Sequence, residues 1–342
     1  MIRCTNCRRP YPETGVPYKC PHCGGVYDDD DLPMLEGVSL ERVSLGEGNT
    51  PLIWAPGPRG MAAFKCEYQN PTGSFKDRGS ATLVGFLRER GVSEAVEDSS
   101  GNAGASFAAY AARAGLRATV FVPEAASGPK RRQIEAYGAR VVSVAGTRAN
   151  AASAAHRAAE AGAVYASHAY LPFNLPGYAT IAAEIVAQLG GAPGSIVCPV
   201  GQGGLLLGAA RGFAALHAAG AISHLPRLFG VQALVCAPLW ALWRYGPAGL
   251  GFVSEGTTLA EGVRVRLPLR GDALLRAVEA SGGAFVAVAE EAILPGRDAL
   301  AHRGFYVEAT SAIVWDALVQ LDDRLAEPVV VVLTGSGLKN DL

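Results

Sequence analysis

The chain has 342 residues, of which 49% are hydrophobic and 18% charged, and its net charge is −1. At roughly 150 residues per domain, that length suggests about two domains with substantial cores. The neutral balance leaves no basic excess to meet nucleic-acid phosphates or an anionic membrane surface, and no apolar run is long enough to span a bilayer.

The opening Met1-Ile2-Arg3-Cys4 lacks the apolar stretch of a secretory signal, so a cytoplasmic location is expected. Cys4, Cys7, Cys20 and Cys23 follow as two C-x2-C knuckles separated by twelve residues. That spacing places four thiolates around a tetrahedral ion, and zinc is the usual occupant. Four protein thiolates would leave no open coordination position, so the ion would be structural. A redox pair, or a metal site since lost, is the alternative. Cys66, Cys198 and Cys236 sit far apart in apolar segments, and His22 reads as a bystander to the second knuckle. The acidic run Asp28–Asp31 then reads as a solvated linker.

Beyond it, apolar strand-like runs alternate with alanine-rich helix-like stretches. Strands are expected at Ala62–Tyr68, Ala95–Asp98, Ala118–Val122, Arg140–Val144, Ser195–Val200, Leu228–Gln232, Ala284–Val288 and Val329–Thr334. Helices are expected at Asp77–Arg90, Ala103–Ala114, Pro129–Tyr137, Thr147–Ala161, Ile181–Leu189, Leu205–Ala219 and Ser311–Leu325. Strands spaced by helices predict an α/β architecture with largely parallel sheets. Such sheets bind ligands on the loops that leave the carboxyl ends of their strands.

Four of those loops could carry chemistry. Asn70-Pro71-Thr72-Gly73-Ser74-Phe75-Lys76-Asp77-Arg78-Gly79 sets a lysine where a helix begins. Only five of the 30 basic residues are lysines, and a primary amine can attack a carbonyl where arginine cannot. The positive end of a helix disfavours the ammonium form, which suits a Schiff-base nucleophile. A helix-start lysine paired with Asp77 is the plain reading. Asp98-Ser99-Ser100-Gly101-Asn102-Ala103-Gly104 offers hydroxyls, an amide and backbone N–H groups to a carboxylate, or simply caps a helix. Val200-Gly201-Gln202-Gly203-Gly204-Leu205 lets main-chain amides converge on a phosphate. Leu206 stands where a dinucleotide fingerprint needs glycine, and no Gly-Lys-Ser/Thr closes a P-loop, so a phosphorylated cofactor other than NAD or ATP is implied. Thr334-Gly335-Ser336-Gly337-Leu338-Lys339 delivers a hydroxyl from a strand end, or makes a plain glycine turn. No His-Glu-x-x-His helix or Gly-x-Ser-x-Gly elbow occurs, and the six histidines show no metal-like spacing.

Taken in order, these loops resemble those of the fold-type II pyridoxal-5′-phosphate (PLP) enzymes, and within them the threonine synthase branch. The likeness runs from Leu45-Gly46-Glu47-Gly48-Asn49-Thr50-Pro51-Leu52 to the last residues, and Asn70–Gly79 is its most specific part. A four-cysteine ribbon ahead of such a catalytic body is similar to a subset of threonine synthase relatives. The resemblance implies a tryptophan synthase beta-like fold with two open sheet domains and a cofactor cleft. Residues 1–33 would form the ribbon-like segment and linker, and 34–342 the catalytic region, with a smaller sheet domain at about 79–164 inserted in the larger.

The resemblance also implies roles. Lys76 would hold PLP as a Schiff base and shuttle protons at the substrate carbons; Phe75 would pack near the cofactor, and Asn102 would meet the ring's phenolic oxygen. Gly201, Gln202, Gly203, Gly204 and Leu205 would hold the phosphate through main-chain amides, while Thr334 would face the pyridine nitrogen. A hydroxyl there makes the ring a weaker electron sink, which suits elimination and replacement. Ser99, Ser100 and Gly101, with Thr72 nearby, would receive the amino-acid substrate.

Two departures bear on which substrate that is. The family stretch that binds a substrate phosphate runs Asn-Pro-(Tyr/Phe)-Arg and then Gly-x-Lys-Thr; here Asn174 and Ala179 replace its arginine and lysine. No lysine or arginine occurs between Arg157 and Arg211, so a second anion pocket would draw on Lys130, Arg131 or Arg132. The phosphate loop is also closer to the glycine-rich loops of dehydratases than to the Asn-Ala-Gly-Asn common in threonine synthases. Threonine formation from O-phosphohomoserine therefore stands beside serine/threonine dehydration or β-replacement, with a non-catalytic zinc-ribbon binding protein as the remote alternative. A homodimer with no nucleic-acid or membrane partner is expected.

Overall fold

A computed structural model describes residues 2–29, 43–126 and 128–339, and in it the alternating apolar and alanine-rich stretches become two separate α/β sheets and a small hairpin. In chain order the elements begin β1 Arg3–Cys4, β2 Tyr27–Asp28, β3 Leu52–Gly57, β4 Gly60–Lys65, α1 Lys76–Glu89, β5 Glu94–Glu97 and α2 Asn102–Ala114. They continue β6 Arg117–Pro123, α3 Pro129–Ala136, β7 Arg140–Val144, α4 Arg148–Glu160, β8 Val164–Tyr165, α5 Leu175–Leu189, β9 Ser195–Pro199 and α6 Gly204–Ala218. The last are β10 Arg227–Ala233, α7 Pro238–Tyr245, α8 Gly271–Ala280, β11 Ala284–Val288, α9 Ile293–Ala301, α10 Ala309–Leu321 and β12 Val329–Val332.

The chain divides into two units. The first comprises Met1–Glu47, Lys76–Gly177 and Lys339–Leu342. Its sheet is fully parallel, in the order β7-β6-β5-β8. Val84 and Leu87 of α1, Phe107 and Tyr110 of α2, and Val120 and Val122 of β6 fill one core. Alanines make up much of the buried face of α2, and their small size lets backbones approach closely. A separate close approach occurs between α5 and α1, where a Cβ at Gly177 would lie 1.8 Å from the Arg78 carbonyl oxygen.

Within this unit β1 and β2 pair antiparallel, Arg3 opposite Asp28 and Cys4 opposite Tyr27. Two tyrosines of this cysteine-bearing segment dock it. Tyr11 packs edge-on against Phe86 and Phe173, with centroids 6.0 and 5.0 Å away. Tyr18 meets Tyr165 and Tyr170 at 5.1 and 5.3 Å. Such aromatic pairs contribute about 0.5–1.5 kcal/mol each beyond the area they bury. One expectation needs correcting. Asp28 is not part of a solvated linker but a buried residue of β2, because the hairpin strand runs through it; Asp30 and Asp31 lie outside the described residues.

The second unit comprises Gly48–Phe75 and Tyr178–Leu338. Its six strands run in the order β11-β10-β9-β12-β4-β3. All pairings are parallel except that of β3, the edge strand, which returns antiparallel on β4. The central strands β9 and β12 are buried along their whole length, which is why they read as unbroken apolar runs. They are neighbours, with Val197 opposite Val331, so the loops leaving their carboxyl ends emerge side by side. Those loops are Val200–Leu205 and Thr334–Leu338. Among the described residues no helix is long and apolar enough to cross a membrane.

Candidate active site

The lysine loop is braced from behind. The Asn70 amide accepts from Gly48 N (2.9 Å) and donates to Glu67 O and Oε2 (2.8 and 3.0 Å), while Thr50 Oγ1 donates to Glu67 Oε1 at 2.6 Å. The Gly48–Leu52 stretch is thus tied to the turn that leads into Lys76. Gly73 in that turn has φ +85°, a left-handed conformation that favours glycine. Phe75 N donates to Thr334 O at 3.0 Å, Ser74 bridges Gly335, and the Phe75 ring lies 5.4 Å from that of Tyr178. Thr72 is buried in the same turn, and the Ser74 hydroxyl is buried with no hydrogen-bond partner.

Lys76 is the first residue of α1, as its place after the turn predicts. In the first unit the amino ends of α1 and α2 are pinned together, since Ser106 Oγ donates to Asp77 Oδ1 (2.6 Å) and lies 2.7 Å from Ser80 Oγ. This brings the Lys76 end of α1 beside the loop Ser99-Ser100-Gly101-Asn102. Gly101 is the N-cap of α2, and no side chain caps the helix's first N–H groups.

Behind that loop stands a group that the sequence alone does not single out. Glu97, fully buried at the end of β5, accepts from Ser99 N at 2.6 Å and holds His168 Nδ1 at 2.5 Å. Asn174 Nδ2 donates to His168 O at 2.5 Å, while its Oδ1 is buried without a partner among the described residues. Next to Glu97, Asp98 Oδ1 accepts from Tyr165 OH at 2.8 Å. Burial pushes the Glu97 carboxyl up, but the His168 imidazole and the hydrogen bonds outweigh it and hold the group below the usual carboxylate range. Asp98 moves the other way, raised by burial and by the Glu97 charge beside it. A depressed acid stabilises the fold above its unfolded pKa and loses that contribution as pH falls through the folded value. Glu97→Gln should therefore lower stability by about 1.5–3 kcal/mol at neutral pH, the range for hydrogen bonds to charged groups. In thermal melts the gap from the parent chain should narrow below about pH 4.

In the second unit the glycine loop forms a cradle. Gly203, the N-cap of α6, has φ +83° and no side-chain cap. A Cβ at Gly201 would stand 2.5 Å from the Gly262 carbonyl oxygen, so only glycine fits. Gln202 Oε1 accepts from Leu269 N at 3.1 Å, which anchors the loop. Beside it, Thr334 Oγ1 lies 2.9 Å from Ser311 Oγ of α10, a residue that in sequence reads only as part of a helix.

Two lysines are buried among the described residues, Lys65 and Lys339, and the deeper of them is accounted for. Lys65 is fully buried and donates to Thr50 O, Glu184 Oε2 and Gln188 Oε1 at 2.7, 2.8 and 2.9 Å, so its amine is committed to structure. Lys19 lies over the Tyr170 ring at 4.9 Å. In the hairpin segment the Sγ atoms of Cys4, Cys7, Cys20 and Cys23 all lie within 4.8 Å of one another. The pairs Cys4–Cys23 and Cys7–Cys20 are 3.5 and 3.7 Å apart. Four sulfurs at about 2.3 Å from a tetrahedral zinc would be about 3.8 Å apart.

Residues 43–335 match the family model described as "Pyridoxal-phosphate dependent enzyme". The chain belongs to the pyridoxal-phosphate-dependent enzyme family. It is 31% identical to the threonine synthase of Methanocaldococcus jannaschii, across 99% of this chain and 93% of that protein. To the threonine synthases of Synechocystis sp. and Mycobacterium leprae it is 36% and 35% identical, covering 81% and 87% of those proteins and 90% and 91% of this chain. Among solved structures, a threonine deaminase from T.th. superposes with TM-score 0.71 at 26% identity, covering 86% of this chain and 93% of that one. Maize serine racemase, at TM-score 0.71, 23% identity and coverage of 86% and 89%, shares the fold. This is therefore a fold-type II, threonine synthase-like PLP enzyme, a lyase of amino-acid metabolism.

The residues present fit PLP. The glycine cradle supplies uncapped N–H groups where a phosphate would sit, and its geometry excludes a Cβ at Gly201. The Ser74 hydroxyl, two residues before Lys76, is buried without a protein partner.

Proposed function

We propose that the chain converts O-phosphohomoserine and water to threonine and phosphate. The observation that carries this reading is the 31–36% identity to threonine synthases over 90–99% of the chain. Lys76 would hold PLP covalently, Phe75 and Asn102 would flank the ring, residues 201–205 would bind its phosphate, and Thr334 would meet its nitrogen. Ser99, Ser100, Gly101 and Thr72 would receive the amino acid. Bound PLP supplies an aldehyde that condenses with amines and a ring that withdraws electrons from the substrate carbons. The protein's part is to orient the carboxylate on the α2 amino end, to keep the Lys76 amine in reach of the substrate's protons, and to exclude water except as reactant. The test is saturable phosphate release from O-phosphohomoserine with one threonine formed per phosphate.

A second reading is favoured by a specific observation. Asn174 replaces the family arginine and spends its NH2 group on His168 O, and Ala179 replaces the family lysine. Beside His168 a phosphate dianion would meet the buried carboxylate of Glu97. Release of ammonia and a keto acid from serine or threonine, with no phosphate from O-phosphohomoserine, would favour dehydration or β-replacement instead.

The four clustered thiols support a structural zinc. Metal analysis should find one zinc per chain, lost in Cys4→Ser and Cys20→Ser. Those variants should melt earlier, because metal binding is coupled to folding of the segment that Tyr11 and Tyr18 dock. A zinc-free protein with an unchanged melt would remove this part of the reading. The homodimer belongs to the same reading, and light scattering checks it.

A further inference from the structure

Ser311, in the first turn of α10, is fully buried, and its hydroxyl oxygen lies 2.9 Å from each of three groups: Thr334 N, Gly335 N and Thr334 Oγ1. The two backbone N–H groups can only donate, so between them they occupy both lone pairs of that oxygen. Its single proton has two destinations, Thr334 Oγ1 at 2.9 Å or Gly335 O at 3.4 Å. Only the first lies within the usual range of an O–H···O bond. If Thr334 donated to Ser311 instead, three donors would compete for two lone pairs. Thr334 therefore accepts from Ser311, and its own O–H points elsewhere. Thr334 is 2% exposed, and no acceptor among the described residues takes that proton. A buried donor left without an acceptor is costly, so the position calls for an acceptor from a ligand.

We propose that Ser311 is a positioning residue that turns the Thr334 hydroxyl proton outward, so that this position accommodates an unprotonated ring nitrogen and disfavours a pyridinium. The proposal rests on the reading in which Thr334 faces the cofactor nitrogen. It goes beyond that reading because the direction of the proton comes from a residue 23 positions away. Thr334 with a free choice of rotamer could accept from a pyridinium as readily as donate to a pyridine; with Ser311 donating to it, it favours donation. The acidic rival is Glu308, which is buried and tied to the same turn by Glu308 N–Gly335 O at 3.0 Å. A carboxylate at the nitrogen would hold it protonated.

The experiment uses full-length protein reconstituted with ¹⁵N-labelled pyridoxal 5′-phosphate, read by the ring ¹⁵N chemical shift and by PLP affinity. The parent should show the shift of a hydrogen-bonded, unprotonated pyridine. Ser311→Ala should move it toward free pyridine and weaken PLP binding about tenfold, and Ser311→Thr should restore both. Thr334→Val should move the shift at least as far. A pyridinium signal in the parent, above all one abolished by Glu308→Gln, overturns the proposal. So does a Ser311→Ala protein whose shift equals the parent's while Thr334→Val moves it, a result that leaves the Thr334 reading standing. If Thr334→Val also leaves the shift unmoved, the Thr334 reading itself fails. Should Ser311→Ala not fold, Ser311→Cys, similar in shape but a weaker donor, replaces it, and an unmoved shift there is equally decisive.

Discussion

Lys76→Ala should lower kcat on every accepted amino acid by on the order of 10²–10⁴, the range attributed to loss of a positioned proton-transfer group. The figure is a lower bound, because the substitution also removes the covalent hold on the cofactor. Lys76→Arg should be equally inactive, since a guanidinium neither condenses with an aldehyde nor gives up its proton near neutrality. Charge and length are kept in that variant, so its failure isolates the chemistry of the amine. A small exogenous amine should restore part of the rate in Lys76→Ala and none in variants of the glycine loop. Borohydride reduction and peptide mapping of the parent should place the pyridoxyl group on Lys76. A tag on Lys65 would contradict the committed hydrogen bonds of that amine.

Gly104→Ala should be the most damaging single-methyl change near the substrate loop. The added Cβ would stand 1.8 Å from Ser99 O and 2.9 Å from Ser99 C, both backbone atoms that cannot swing aside. Alanine gains about 1 kcal/mol of helix propensity over glycine. Overpacking typically costs about 1–3 kcal/mol even where side chains can yield. Here a peptide group must move, so the clash wins. Because Ser99 opens the loop that would receive the substrate carboxylate, KM should rise at least tenfold along with a lower Tm. Gly191, where an added Cβ would meet nothing within 4 Å and φ is not positive, is the control. Alanine there should leave KM unchanged. Equal KM values for Gly104→Ala and the parent would show that the loop tolerates displacement.

The strands expected from Ala95, Ala118, Arg140, Ser195, Leu228, Ala284 and Val329 all occur, with ends shifted by a few residues. They are legible because parallel strands covered on both faces must be apolar throughout. The edge strand β3 is not: Leu52–Gly57 contains proline and exposed Trp54, and it holds its place by pairing with β4. Helices α7 and α9 also escape a local reading, since each carries proline near its start and charge or glycine within a short span, and α8 is short and flanked by glycine and proline. Of the proposed site residues, Lys76, Ser99–Asn102, Gly201–Leu205 and Thr334 share one local signal, a strand end followed by glycine or hydroxyl residues at a helix start. Glu97 has the faint signal of an acid closing an apolar strand. Ser311 has none.

Local covalent sequence determined which residues could turn, cap a helix, bind an anion or offer a nucleophilic amine, because those properties depend on φ preferences, N–H availability and side-chain chemistry within a few positions. It therefore identified the loops and the cysteine knuckles. Only the tertiary structure decided which polar groups lie behind those loops. Glu97 reaches His168 across 71 residues and Ser311 reaches Thr334 across 23, and each contact exists because the fold packs a strand end against a distant segment. Hydrogen bonds of that kind follow from the fold's geometry rather than from any spacing in the chain.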